Sequence, residues 1–159
     1  MQIVPLNEAH DRRAFDCGRP ELNDWLARVA RQHQGKSLSK TFVLIHETEP
    51  TRICGYYALT LAELESRCLP DVWRKKMPRR IPGLRLGRLA VDRAWQGEGY
   101  GGLLLADALK RARRIDIEAG GIGLFVDALD EQAAAYYLRF GFEASPDQPF
   151  LLFLPLISS

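Results

Sequence analysis

Residues 88–102 read RLAVDRAWQGEGYGG, and they decide the fold. An apolar run stops at Val91, a short polar turn follows, and Gly97, Gly99, Gly101 and Gly102 fall within six positions directly before a long helical pattern. Glycine costs about 1 kcal/mol relative to alanine inside a helix. Such a cluster is tolerated where the backbone needs unusual dihedrals or must lie bare against a ligand. The first N–H groups of a helix are unpaired and carry the positive end of its dipole, so a glycine-rich entry suits a phosphate or pyrophosphate. A strand, an anion-binding loop and a helix are the expectation.

The kind of anion is a separate question. Gly97, Gly99 and Gly102 satisfy G-x-G-x-x-G, and Glu118 lies near the distance of a ribose-binding acid. A dinucleotide fold fits poorly, because Arg93, Ala94, Trp95 and Gln96 separate the glycines from the strand end and Glu118 falls inside the helical pattern. No G-x-x-x-x-G-K-[ST] is present, which removes a P-loop hydrolase. A tight turn without any ligand is the plain alternative.

Outward from this stretch, RPELNDWLARVARQHQG (19–35) predicts one amphipathic helix from Pro20 to Gly35. KTFVLIHE (40–47) and RICGYYALTLAEL (52–64) predict an antiparallel hairpin. PDVWRKKMPRRIPG (70–83) is proline-punctuated and holds at most one or two helical turns, before a strand over 84–92. A helix from about Gly101 to Ala119, a strand in GIGLFVDAL (121–129), a helix in DEQAAAYYLRFG closed by Gly141, and a strand in PFLLFLPLI (149–157) complete the order. The fold class is α/β, with a parallel crossover around the central helix and one domain over 1–159.

The 159 residues are 47% hydrophobic and 26% charged, an ordinary globular balance. The start lacks a leader pattern and no window is apolar enough to cross a bilayer, so a cytoplasmic protein without a membrane partner is expected. Cys17, Cys54 and Cys68 are widely spaced beside only three histidines, which speaks against a disulfide framework or a metal site. Between Arg67 and Arg93, nine basic residues face two acidic ones, so this segment carries +7 and the remainder −5. Such a run attracts a polyanion or is simply a solvated loop.

The motifs resemble the GNAT (GCN5-related) N-acetyltransferases. Leu89, Ala90 and Val91 match the end of that family's strand, and Gln96, Gly99 and Gly101 match its Q/R-x-x-G-x-G/A loop. FVDALDEQAAAYYLRFGF (125–142) is similar to its second element. The resemblance implies a GNAT fold, with a mixed sheet of about six to seven strands flanked by about four helices. It also implies acetyl-CoA as cofactor, held by Leu89–Val91, by Gln96, Gly97, Glu98, Gly99, Tyr100, Gly101 and Gly102, and by Asp130. Asp130 stands where many members carry an asparagine whose amide contacts the pantetheine arm, and a carboxylate cannot donate that bond.

FDCGRPELNDWLARVA, SKTFVLI, GYYALT and GLRLGRLAVD resemble the GNAT-type toxins of bacterial toxin–antitoxin pairs. That likeness implies acetylation of aminoacyl-tRNA, a block of translation, a ribbon-helix-helix antitoxin and a possible homodimer. The tRNA would dock on Arg74, Lys75, Lys76, Arg79, Arg80, Arg85, Arg88 and Arg93, with Arg113. Rival expectations are a small amine or a protein or peptide amine as acceptor, and a non-catalytic acyl-CoA-binding module.

An aminoacyl amine titrates near 7.7 to 8.0, so part of it is neutral at cellular pH and no strong base is required. By analogy, strand N–H groups near Leu89–Val91 polarise the thioester carbonyl, an effect worth about 3 kcal/mol. The resemblance assigns Tyr137 as the catalytic proton donor to the departing thiolate. Tyr136 points about 100° away around the helix and is expected in the core. Cys17 is not favoured as a nucleophile, because no histidine is paired with it in the sequence.

Overall fold

The computed structural model describes residues 1–156, so Ile157 of the last expected strand lies outside the described residues. Seven strands, β1 (Gln2–Pro5), β2 (Lys40–Ile45), β3 (Gly55–Glu65), β4 (Arg80–Val91), β5 (Gly123–Asp127), β6 (Glu143–Ala144) and β7 (Leu151–Pro155), are found among them. Between them lie helices α1 (Pro20–Arg28) and α2 (Ala30–Gly35) before β2, α3 (Asp71–Arg74) before β4, α4 (Tyr100–Ala119) before β5, and α5 (Glu131–Arg139) before β6. The sheet order is β1-β2-β3-β4-β5-β7-β6. β1, β2 and β3 pair antiparallel, as do β5, β6 and β7, while β4 and β5 run parallel, as a crossover through α4 requires. The mixed α/β architecture expected from the sequence is present.

Several elements differ from the expectation. The helix expected over 20–35 breaks at Val29, which takes φ −117° and ψ −39°. Arg12 Nη1 donates to the carbonyl of Ala27 at 2.8 Å, so a side chain intrudes on the hydrogen-bond ladder where the axis changes. β3 begins at Gly55 and not at Arg52, and β4 begins at Arg80, four residues early, with Pro82 inside it. Tertiary pairing overrides the proline signal there, since Ile122 N–H donates to the Pro82 carbonyl at 3.0 Å. The two-residue β6 escapes periodicity because it is too short to show any.

The chain divides into two compact units. The first, Met1–Thr60 with Gly87–Ala108, packs Leu22, Trp25 and Leu26 of α1 against Tyr56 of β3, with Val43 and Ala90 in the same cluster. The i, i+3, i+4 spacing of the three α1 residues puts them on one face. Tyr56 fastens that helix by donating to the Leu22 carbonyl at 2.7 Å. On the other side of β3, Gly55 is required by closeness: a Cβ there would lie 2.9 Å from Leu104 of α4 and 3.1 Å from the Ala90 carbonyl.

The second unit, Leu61–Leu86 with Leu109–Ser159, centres on Phe125 and Phe153, whose rings are 5.0 Å apart. Leu64, Leu69, Ile81 and Leu151 surround them. Here Asp130 starts α5 by accepting the Ala133 N–H at 2.8 Å. No helix among the described residues is long and apolar enough to cross a membrane.

Candidate acetyl-transfer site

The first unit holds the glycine loop and the strand end before it. Asp92 ends β4: its carboxylate is buried and accepts the Asp16 and Ala94 N–H groups, each at 3.0 Å, while its own N–H donates to Cys54 at 2.9 Å. Arg93 N–H donates to the Asp16 carbonyl at 2.9 Å, and its guanidinium stands 3.6 Å from the Asp16 carboxylate. The Asn23 amide, then the Gly18 N–H and Arg93, hold that carboxyl below its usual range. Gln96 closes the loop, donating to the carbonyls of Cys17 at 2.9 Å and Val91 at 2.8 Å. Its amide therefore faces the protein, and Gln96 positions the loop.

Gly97 and Gly99 take φ of +81° and +86°, and a Cβ on either would meet no atom within 4 Å. Only glycine adopts such dihedrals cheaply, and the backbone there is bare. Tyr100 then begins α4, whose twenty residues align a full set of peptide dipoles on this loop. Gly101 and Gly102 lie inside the first helical turn, half-buried, and Glu98 is exposed. Leu89 and Val91 are half-buried, and Ala90 is buried. Trp95 lies between His46 and Tyr100, with ring centroids 6.4 Å and 6.1 Å away.

In the second unit, Tyr137 is 7% exposed, edge-on to Phe142 at 5.5 Å. Burial holds its phenol well above the usual range, so it stays protonated at neutral pH. The expectation that Tyr136 fills the core is corrected: Ala134 and Tyr137, three apart, form the buried face of α5. Tyr136 is only half-buried, packed on Phe140 at 5.0 Å and under Arg139 at 5.9 Å. Asp130, expected on the cofactor, spends one carboxylate oxygen on its own helix.

The basic segment is not the bare surface its charge count suggested. Arg74 pairs with Asp71 (2.7 Å), Arg79 with Glu65 (3.9 Å), Arg80 with Glu63 (3.8 Å), Arg93 with Asp16, and Arg85 with Asp127. Arg67 is likewise tied to Glu65. Exposed pairs of this kind are weak and salt-screened, but they dilute the local field. Among the described residues of the segment, only Lys75, Lys76 and Arg88 make no ion pair; nor does Arg113, exposed on α4.

Two features of this site escape sequence reasoning. Asp92 is an acid directly after a strand and before a turn, a capping signal visible in VDRAW, but its partner Asp16 is 76 positions away. Tyr57, fully buried, donates to Asp107 of α4 at 2.5 Å and so anchors the glycine-led helix to β3. Cys17 is half-buried and burial pushes its thiol up, as expected of a structural cysteine.

Residues 37–144 match the model of the acetyltransferase (GNAT) domain. A "tRNA-acetylating toxin" of Mycobacterium tuberculosis is 36% identical over 149 residues, 94% of this chain and 88% of the relative. The solved structure of AtaT complexed with acetyl-methionyl-tRNAfMet superposes with a TM-score of 0.88 at 35% identity, over 97% of this chain and 94% of AtaT. A tyrosine-to-phenylalanine AtaT toxin bound to the C-terminus of the antitoxin AtaR and acetyl-CoA superposes at 0.83 and 30% identity, over 98% and 92%.

Proposed function

The chain belongs to the GNAT acetyltransferase family, and from that premise we propose that it transfers the acetyl group of acetyl-CoA to the amine of aminoacyl-tRNA, as a toxin that blocks translation. The observation that carries the reading is the bare, left-handed backbone at Gly97 and Gly99 ahead of α4. A pyrophosphate would settle on backbone that carries no Cβ, at the positive end of a long helix. Leu89–Val91 and the Gln96–Gly102 loop would hold the cofactor, which when bound supplies an acetyl group already activated as a thioester. The AtaT complex with acetyl-CoA supports this half.

The acceptor half is supported by the likeness to the Mycobacterium toxin and to AtaT with its acetylated tRNA product. Of the cations expected to dock tRNA, Lys75, Lys76, Arg88 and Arg113 carry no ion pair among the described residues and so remain available to phosphates. The acceptor amine is partly neutral near pH 7.5, so the chain needs no histidine at the reacting nitrogen. Amides of Leu89–Val91 stabilise the oxygen on which charge develops. The Tyr137 Oη holds the proton delivered to the departing sulfur.

The partner is an antitoxin, of ribbon-helix-helix type by the motif resemblance, and two copies of the chain form a homodimer in this reading. The site of action is the cytoplasm, where charged tRNA is found. The test is acetyl transfer from labelled acetyl-CoA to a pool of charged tRNA, with wild type beside Tyr137→Phe. Label on aminoacyl-tRNA with wild type alone is expected. No label despite tight acetyl-CoA binding would retire the tRNA acceptor in favour of small amines or peptides.

A further inference from the structure

Arg88 differs in kind from the rest of the basic segment. Its guanidinium carbon lies 4.6 Å from the centroid of the Trp25 indole. Trp25 stacks in turn on Tyr56, 6.1 Å away and 7° from parallel, and Phe15 closes the column edge-on to Tyr56 at 5.4 Å. Tyr56 is fully buried and pinned by its bond to Leu22, so Arg88 rests on a rigid floor. Among the described residues it makes no ion pair, and its one hydrogen bond is a long 3.5 Å contact to the Gly87 carbonyl.

A half-buried cation held against an aromatic face keeps its orientation while its donors stay unspent. An arriving anion is bound more strongly there than at an exposed lysine, because less water screens the pair. The guanidinium also offers paired N–H groups that match two oxygens of a phosphodiester. Arg88 immediately precedes Leu89–Val91, the strand end assigned to the reacting carbonyl. In an aminoacyl-tRNA the anion covalently nearest the amine is the phosphodiester of the 3′-terminal adenosine that bears the amino acid.

We propose that Arg88, held flat on Trp25, binds the phosphodiester of the acceptor's 3′-terminal nucleotide and so places the amine at the strand end Leu89–Val91. The proposal rests on the aminoacyl-tRNA reading of the site. It separates one positioned contact from the diffuse attraction of Lys75, Lys76 and Arg113, which any phosphate along the strand satisfies.

The experiment measures kcat/KM of the full chain on charged tRNA, native or with that one phosphodiester replaced by a neutral methylphosphonate. Wild type should lose about ten- to hundredfold on the neutral linkage, as expected for one charge-assisted bond. Arg88→Ala should lose the same amount on native tRNA and almost nothing more on the methylphosphonate, since both changes remove one interaction. Arg88→Lys, which keeps charge without the planar fork, should recover part of the loss. Equal wild-type rates on both tRNAs, or losses that multiply, overturn the proposal while leaving the acceptor assignment standing. Native charged tRNA left unlabelled by wild type would instead sink that assignment. The wild-type comparison needs no variant, so a poorly folding Arg88→Ala does not compromise it.

Discussion

Gln96 donates its side-chain amide to the carbonyl of Val91 at 2.8 Å, tying the start of the glycine loop back to the strand it has just left. The same nitrogen reaches Cys17 at 2.9 Å. Gln96→Glu cannot donate either bond, at a cost of about 1–3 kcal/mol for the pair. Acetyl-CoA affinity should fall about tenfold or more, measured by calorimetric titration. Unchanged affinity would show that the loop keeps its shape without this clamp.

Gly99→Ala meets no steric obstacle, so its whole effect comes from φ +86° and from a methyl group in the open cradle. The dihedral alone costs about 1–2 kcal/mol. Both melting temperature and acetyl-CoA affinity should drop. Gly99→Asn tolerates this dihedral better and should regain stability but not affinity; affinity restored with stability would place the cofactor elsewhere.

Tyr137→Phe keeps the edge contact with Phe142 and changes stability by less than about 1 kcal/mol. Turnover should fall by about 10²- to 10⁴-fold, the scale of general acid catalysis. An unaltered kcat would strip Tyr137 of its proton.

Lys75→Ala and Lys76→Ala should each weaken charged-tRNA binding and reduce the slope of log K against log salt by about one unit. Arg79→Ala should do less, because Arg79 already faces Glu65 at 3.9 Å. Binding isotherms at three salt concentrations decide it: a larger effect from Arg79 would mean the ion pair opens on docking.

His10 is buried, accepts the Asn7 N–H on Nδ1 at 3.0 Å, and burial lowers its pKa below the usual value of 6.5. The folded state thus binds its proton less readily than the unfolded state. Its contribution is fully present above the unfolded pKa of about 6.5 and is lost as pH falls through the folded value. Melting temperature should decline from pH 7.5 to pH 5, and less so in His10→Asn, which can still accept the Asn7 N–H. Identical declines would assign the acid sensitivity to other groups.

The glycine cluster, the Pro20 helix start, the Gly141 helix stop and the period-2 run of the hairpin were legible because each is a local signal, written within one or two turns of chain. Asp92 shows where legibility ends. Its sequence context says cap, and it caps Ala94, but its second oxygen serves Asp16 from a loop 76 residues earlier. The arginines show the same limit: a count of charges reads the segment as +7, whereas Glu63, Glu65, Asp16 and Asp127 come from elsewhere to meet it.

The sequence by itself determined the α/β order, the bare-backbone loop before α4 and the family, because backbone conformation and helix termini depend on neighbours only a few residues away. The tertiary structure alone decided that Val29 breaks the first helix, that Gln96 faces inward, that Tyr137 and not Tyr136 is buried, and that Arg88 lies on Trp25. Each of those depends on a partner brought close by folding, and the energy of a hydrogen bond, an ion pair or a stacked cation follows distance in space, which sequence separation does not encode.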